Sequence, residues 1–140
     1  MVLIDTNIII DYWHGITEKL DEIITYDSCC VCGVVRSELI RGAVSEKDVD
    51  RIISALSEFH YVDFEPSDWD ELGKMIFNLR THGISVPLPD AIISYLAIKN
   101  TLPLLTDEQN DAHLRHTNKP FTVSTPAVIY SRISNSFSIS

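Results

Sequence analysis

The chain has 140 residues, 45% of them hydrophobic and 22% charged, with a formal net charge of −9. That length fits one domain over 1–140, able to bury a core without disulfides or structural metal. The acidic balance excludes a protein that coats nucleic acid by bulk electrostatics, and leaves a local basic patch, a bound divalent cation or a basic protein partner as routes to a phosphate backbone.

Short apolar runs alternate with longer helical patterns along the chain. Val2 to Ile4 predicts a first strand, and Ile8 to Trp13 and Thr17 to Thr25 predict helices separated by Gly15. Cys29 to Cys32 predicts a short buried strand, followed by a helix from Val34 that stops at Gly42. A helix is expected from Ser45, its cap, to Ser57, with Val49, Ile52, Ile53 and Leu56 on one face. Tyr61 to Phe64 predicts a strand. Ser67 is expected to cap a helix to Arg80 whose stripe is Leu72, Met75, Ile76 and Leu79, closed by Gly83. Pro89 to Asn100 predicts a helix with proline in its first turn. Leu102 to Leu105 reads as a strand, Asp107 to His116 as a helix and Phe121 to Val123 as a last strand. A short helix is expected after Pro126, and 131–140 is Ser-rich and reads as a frayed tail.

Strands alternating with helices imply an α/β fold with a central parallel sheet covered on both faces. In such folds strand C-termini and helix N-termini meet at one edge, where sites form. Asp5 ends the first strand and Glu38 lies in the helix after the second. Asp90 is in the first turn of the helix opened by Pro89, and Asp107 and Glu108 follow the strand ending at Leu105. Asn7 and Thr106 can add neutral oxygens at the same rim. Carboxylates gathered together repel and raise one another's pKa unless a cation sits between them. Mg²⁺ and Mn²⁺ prefer such oxygen ligands, and phosphodiester hydrolysis is chemistry they support.

Each acid also has a plain structural reading. Asp90, Asp107 and Glu108 sit where a helix dipole favours negative charge. Thr106 with Gln109 matches a capping box, and Glu38 with Arg41 fits a solvated pair. Asp5 has the weakest such alternative, because an acid ending an apolar strand gains little from solvation alone. The set on one edge favours a metal site.

These motifs carry a family resemblance. The opening "LIDTNIIIDYW" resembles the first motif of PIN domains, especially the VapC-type toxins of toxin–antitoxin pairs, and "VVRSELIRGA" resembles their second. "LPDAIISYLAIKNTLPLLTDEQNDAHL" resembles the third and fourth, in the same order. The resemblance implies a three-layer α/β/α PIN-like fold and a Mg²⁺- or Mn²⁺-dependent endoribonuclease that cleaves single-stranded or structured RNA. It implies acidic site residues at Asp5, Glu38 and Asp90, a cognate antitoxin protein and a homodimer. The fourth acid departs from the family pattern, which usually has Asp or Asn two residues after the threonine. Here Glu108 holds that place, Asp107 stands one residue earlier, and Asp111 is a third choice. The Val34–Val35 pair also lacks the threonine often found one turn before the glutamate. A catalytically silent PIN-like domain that binds RNA or protein is the alternative.

Other features have plainer readings. Cys29, Cys30 and Cys32 are too few and too close for a disulfide framework, lack the second pair a zinc site needs, and read as buried hydrophobes. His113 and His116, with Asp111, form a metal-ligand pattern whose plain reading is exposed polar residues. Arg36, Arg41, Arg80, Arg115 and Lys119 are scattered cations, any of which near the site would hold a phosphate. A haloacid-dehalogenase-type phosphatase needs Asp where Asn7 stands, and a phospho-receiver needs an acid pair at Asp5–Thr6 and a lysine after Thr106. Structure-specific DNA nucleases usually carry more acids and inserted segments. Asp5 and Asp11 interrupt the first apolar run, so no signal peptide or membrane span is expected, and the chain reads as cytoplasmic.

Overall fold

A computed structural model describes residues 1–16, 18–107 and 121–124. The expected helices after Asp107 and Pro126, and the tail 131–140, lie outside the described residues, as does Thr17. Five strands, β1 (Val2–Ile4), β2 (Cys29–Cys32), β3 (His60–Val62), β4 (Leu104–Asp107) and β5 (Phe121–Ser124), form one sheet in the order β3-β2-β1-β4-β5. The first four pair in parallel, and β5 pairs antiparallel with β4 at the edge. The expected parallel centre is therefore present, with one antiparallel edge strand, an arrangement common in large sheets.

The helices are α1 (Thr6–Trp13), α2 (Glu18–Ile23), α3 (Gly33–Arg41), α4 (Glu46–Leu56), α5 (Pro66–Thr81) and α6 (Leu88–Lys99). They flank the sheet, with α3 packed against α1, α4 and α6, and α5 against α6. The core gathers Leu3 and Ile4 of β1, Ile8 and Ile9 of α1, Val31 of β2, Val35 of α3, Leu96 of α6 and Leu105 of β4. All four residues of β2 are buried, which is why its sequence shows no polar alternation. Burial pushes the Cys30 thiol up to about 11, and all three cysteines are free and buried, so they serve as small hydrophobes.

Helix ends follow local chemistry. Ser45 caps α4 through its hydroxyl, which accepts from the Asp48 N–H at 3.1 Å. The cap of α5 is Glu65 and not Ser67: Pro66 opens the helix, and Glu65 and Asp68 complete a capping box. After α5, Gly83 takes a left-handed φ of +78°, and the Ile84 N–H reaches the Leu79 carbonyl at 2.9 Å in a Schellman turn. Thr101 performs the same turn after α6 at φ 54°, where a β-branched residue is strained.

One buried polar cluster ties α5 to α6. The Asp68 carboxylate, almost wholly buried, accepts from Lys99 Nζ at 2.6 Å, the Tyr95 hydroxyl at 2.8 Å and the Glu65 N–H at 2.7 Å. The Lys99 hydrogen bond holds its carboxyl below the usual range. Among the described residues, no helix is long and apolar enough to cross a membrane.

Candidate active site

Strand register builds the rim. Leu3 is level with Cys30, Ile4 with Leu105, Cys32 with Val62 and Thr106 with Thr122. One step further along β1, the Asp5 N–H continues the ladder to the Leu105 carbonyl at 3.0 Å. Val62, Cys32, Asp5, Thr106 and Thr122 thus form one row at the C-terminal edge of the parallel strands, where α1 and α3 begin. Adjacent strands lie about 4.8 Å apart, so residues from separate segments become neighbours here.

Asp5 sits at the turn from β1 into α1 with extended backbone, as the N-cap of α1. Its Oδ1 accepts from the Thr6 N–H at 2.6 Å, and its Oδ2 accepts from the Thr106 hydroxyl at 3.0 Å. Burial nevertheless raises its pKa; the two hydrogen bonds oppose that, and the Glu38 charge adds to it. Asp5 thus both caps a helix and faces another acid.

Glu38 reaches the same place from α3. Its Oε2 accepts from the Thr6 hydroxyl at 2.5 Å, across 32 residues of sequence. Among the described residues Glu38 forms no ion pair with Arg41, which is exposed, so the plain pairing is not observed. Asp90 lies in the first turn of α6. Its carboxyl is raised by partial burial first, then by the charges of Asp5 and Glu38. That direction is opposite to what a helix-terminus stabiliser gains.

Asp107 is the last residue of β4 rather than the first of a helix; pairing with Phe121 of β5 holds it extended. Its side chain, with Glu108 and Asp111, lies outside the described residues, as do His113, Arg115, His116 and Lys119. Asn7 is exposed, and no hydrogen bond among the described residues uses its amide. Among the described residues no three carboxylate, imidazole or thiol groups stand close enough together to hold a metal ion. Asp5, Glu38 and Asp90 are within electrostatic range of one another, and among the described residues no lysine or arginine forms an ion pair with them. An all-oxygen, anionic donor set with no counter-charge paired to it among the described residues is chemically suited to a hard divalent cation.

One contributor escaped the sequence reading. Thr6 follows the capping acid directly and touches both carboxylates; the signal was a hydroxyl at the first helical position. Asp63 stands just beyond β3 on the same edge, but Tyr61 Oη donates to it at 3.1 Å and the Phe64 N–H at 2.7 Å, so it serves its own turn.

The PIN domain family model matches residues 2–119. Comparison with curated proteins gives no match. Among solved structures, a toxin–antitoxin complex from Klebsiella pneumoniae is similar with TM-score 0.61 and 26% identity, covering 82% of this chain and 93% of that one. VapBC2 from Rickettsia felis, bound to a fragment of promoter DNA, is similar with TM-score 0.65 and 18% identity, covering 77% and 89%. DNA-bound VapBC from Salmonella typhimurium gives 0.60 and 22%, covering 73% and 83%. At their identities the latter two speak for the fold alone. The family match spans most of the sequence and agrees with the four parallel strands and the acids at their edge, so the chain belongs to the PIN domain family.

Proposed function

We propose that this protein is a metal-dependent endoribonuclease and the toxin of a toxin–antitoxin pair, cutting single-stranded or structured RNA. The observation that carries this reading is the meeting of Asp5 and Glu38 at Thr6, with Asp90 in electrostatic range of both. Asp5, Glu38, Asp90 and Asp107 or Glu108 would hold Mg²⁺ or Mn²⁺. When bound, such an ion supplies a water of lowered pKa and charge neutralisation at the phosphate. The chain's own residues prepare that chemistry. Thr6 and Thr106 occupy one oxygen each of Asp5 and so fix its plane. Glu38 has one oxygen held by Thr6, while its other makes no hydrogen bond among the described residues and is open to accept from water or substrate.

The partner reading draws support from the structural relatives, which are toxin–antitoxin complexes. It also draws on surfaces that are not wholly internal. Ile53 of α4 is 37% exposed, and Trp69 and Phe77 of α5 are 52% and 56% exposed. A homodimer and an antitoxin are the proposed occupants of these faces.

Single-turnover cleavage of a labelled single-stranded RNA in Mn²⁺ tests the catalytic assignment, with a DNA strand of the same sequence as control. Glu38→Gln and Asp90→Asn should each lose at least about 100-fold in rate. Full activity in either variant would remove that residue from the site, and preferential cutting of DNA would overturn the substrate class.

A further inference from the structure

Thr6 joins the two acids. Its N–H donates to Asp5 Oδ1 at 2.6 Å, and its hydroxyl donates to Glu38 Oε2 at 2.5 Å. A threonine hydroxyl has one proton, so this donation commits it to Glu38. The position makes both contacts available. Thr6 is the first residue of α1, so its N–H points back toward the capping acid, and α3 packs against α1. Burial is the main cause of the raised Asp5 pKa, and the repulsion between Asp5 and Glu38 adds to it. Two donors of one residue, the N–H to Asp5 and the hydroxyl to Glu38, offset part of that repulsion. Hydrogen bonds from neutral donors to carboxylates are short and stronger than neutral pairs.

We infer that Thr6 is a positioning residue whose hydroxyl holds the Glu38 carboxylate at the rim beside Asp5, and that it thereby sets both cation affinity and turnover. The cation part of this inference rests on the nuclease reading above. A purely structural role makes a different demand. If Thr6 only fills space at the start of α1, valine replaces it without loss, because the two side chains have nearly the same shape. If the hydroxyl matters, serine replaces it and valine does not.

The test uses the full chain with Thr6→Val, Thr6→Ser and wild type. Mn²⁺ binding is read by calorimetry, and RNA cleavage by kcat and KM. Thr6→Val should weaken Mn²⁺ binding roughly 10–100-fold, the usual effect of losing a group that orients a metal ligand. It should lower kcat and leave KM for RNA unchanged, and Thr6→Ser should restore both. A metal-free stability cycle in urea, pairing Thr6→Val with Glu38→Ala, reads the contact itself. Its two changes should be non-additive by at least about threefold in the folding constant.

Wild-type Mn²⁺ affinity in Thr6→Val would overturn the inference, as would an equal loss in Thr6→Ser. Additivity in the metal-free cycle would overturn it as well. Wild-type protein that binds no Mn²⁺ would overturn the nuclease reading and the cation role with it. The metal-free cycle distinguishes that failure from failure of the Thr6–Glu38 contact.

Discussion

The Asp5 carboxyl is held by two donors and still has a raised pKa, because burial and the Glu38 charge outweigh them. A carboxyl whose folded pKa is raised binds more protons folded than unfolded. Stability therefore falls as pH rises from the unfolded value, about 3.9, through the folded one, and the deficit persists above it. Asp90 is raised in the same direction and adds to the effect. In EDTA at pH 7, Asp5→Asn is expected to melt above wild type, with the gap closing as pH is lowered toward about 4. Thermal unfolding followed by circular dichroism at stepped pH checks this. A lower melting point for Asp5→Asn at pH 7 would mean that its hydrogen bonds outweigh its charge. At this scale the gathering of Asp5, Glu38 and Asp90 was legible in the sequence, because strand and helix alternation puts all three on the same edge. Thr6 was not, because a threonine after an acid reads first as an ordinary helix start. Only the packing of α1 on α3 shows where its hydroxyl goes.

Elements are placed by a few local rules, and their edges show where those rules compete. β1 and β2 match the sequence expectation residue for residue, since short buried runs leave no other register. α1 begins at Thr6, two residues before the expected start, because Asp5 itself is the cap and the isoleucines only continue the helix. α5 begins before Ser67 because the Glu65–Asp68 box outcompetes a serine hydroxyl. Asp107 stays in β4 because β5 pairs with it, a long-range contact that no local pattern reveals. α3 starts on Gly33 for a steric reason. A Cβ there would stand 2.9 Å from Tyr61 Oη, which is tied to Asp63. Gly33→Ala should be neutral or destabilising in wild type. In a Tyr61→Phe background it should stabilise by about 0.5–1 kcal/mol, the gain from restricting the unfolded chain. Urea midpoints of the four proteins measure the coupling, and equal shifts in both backgrounds would show that the hydroxyl moves aside freely.

At the level of the whole molecule, a net charge of −9 and a sheet edge lined with acids act together. Such a surface repels a polyanion unless a cation intervenes, so substrate binding draws little from counterion release. Each phosphate neutralised by protein on a single strand contributes a slope of about −0.7 in log affinity against log salt. The dependence of KM for RNA on monovalent salt should be shallow, with a slope smaller in magnitude than about 2. Fluorescence anisotropy of a labelled RNA at fixed Mn²⁺ gives the same quantity for binding. A steep slope would point to a basic groove that the acidic rim does not supply.

The account stands most directly on cleavage of single-stranded RNA by the purified protein in Mn²⁺, in Mg²⁺ and in EDTA, beside Asp5→Asn prepared identically. The expected result is cutting in both metals that is abolished by EDTA and by the substitution. Equal cutting by Asp5→Asn, or cutting that survives EDTA, would contradict a metal-dependent site built on Asp5.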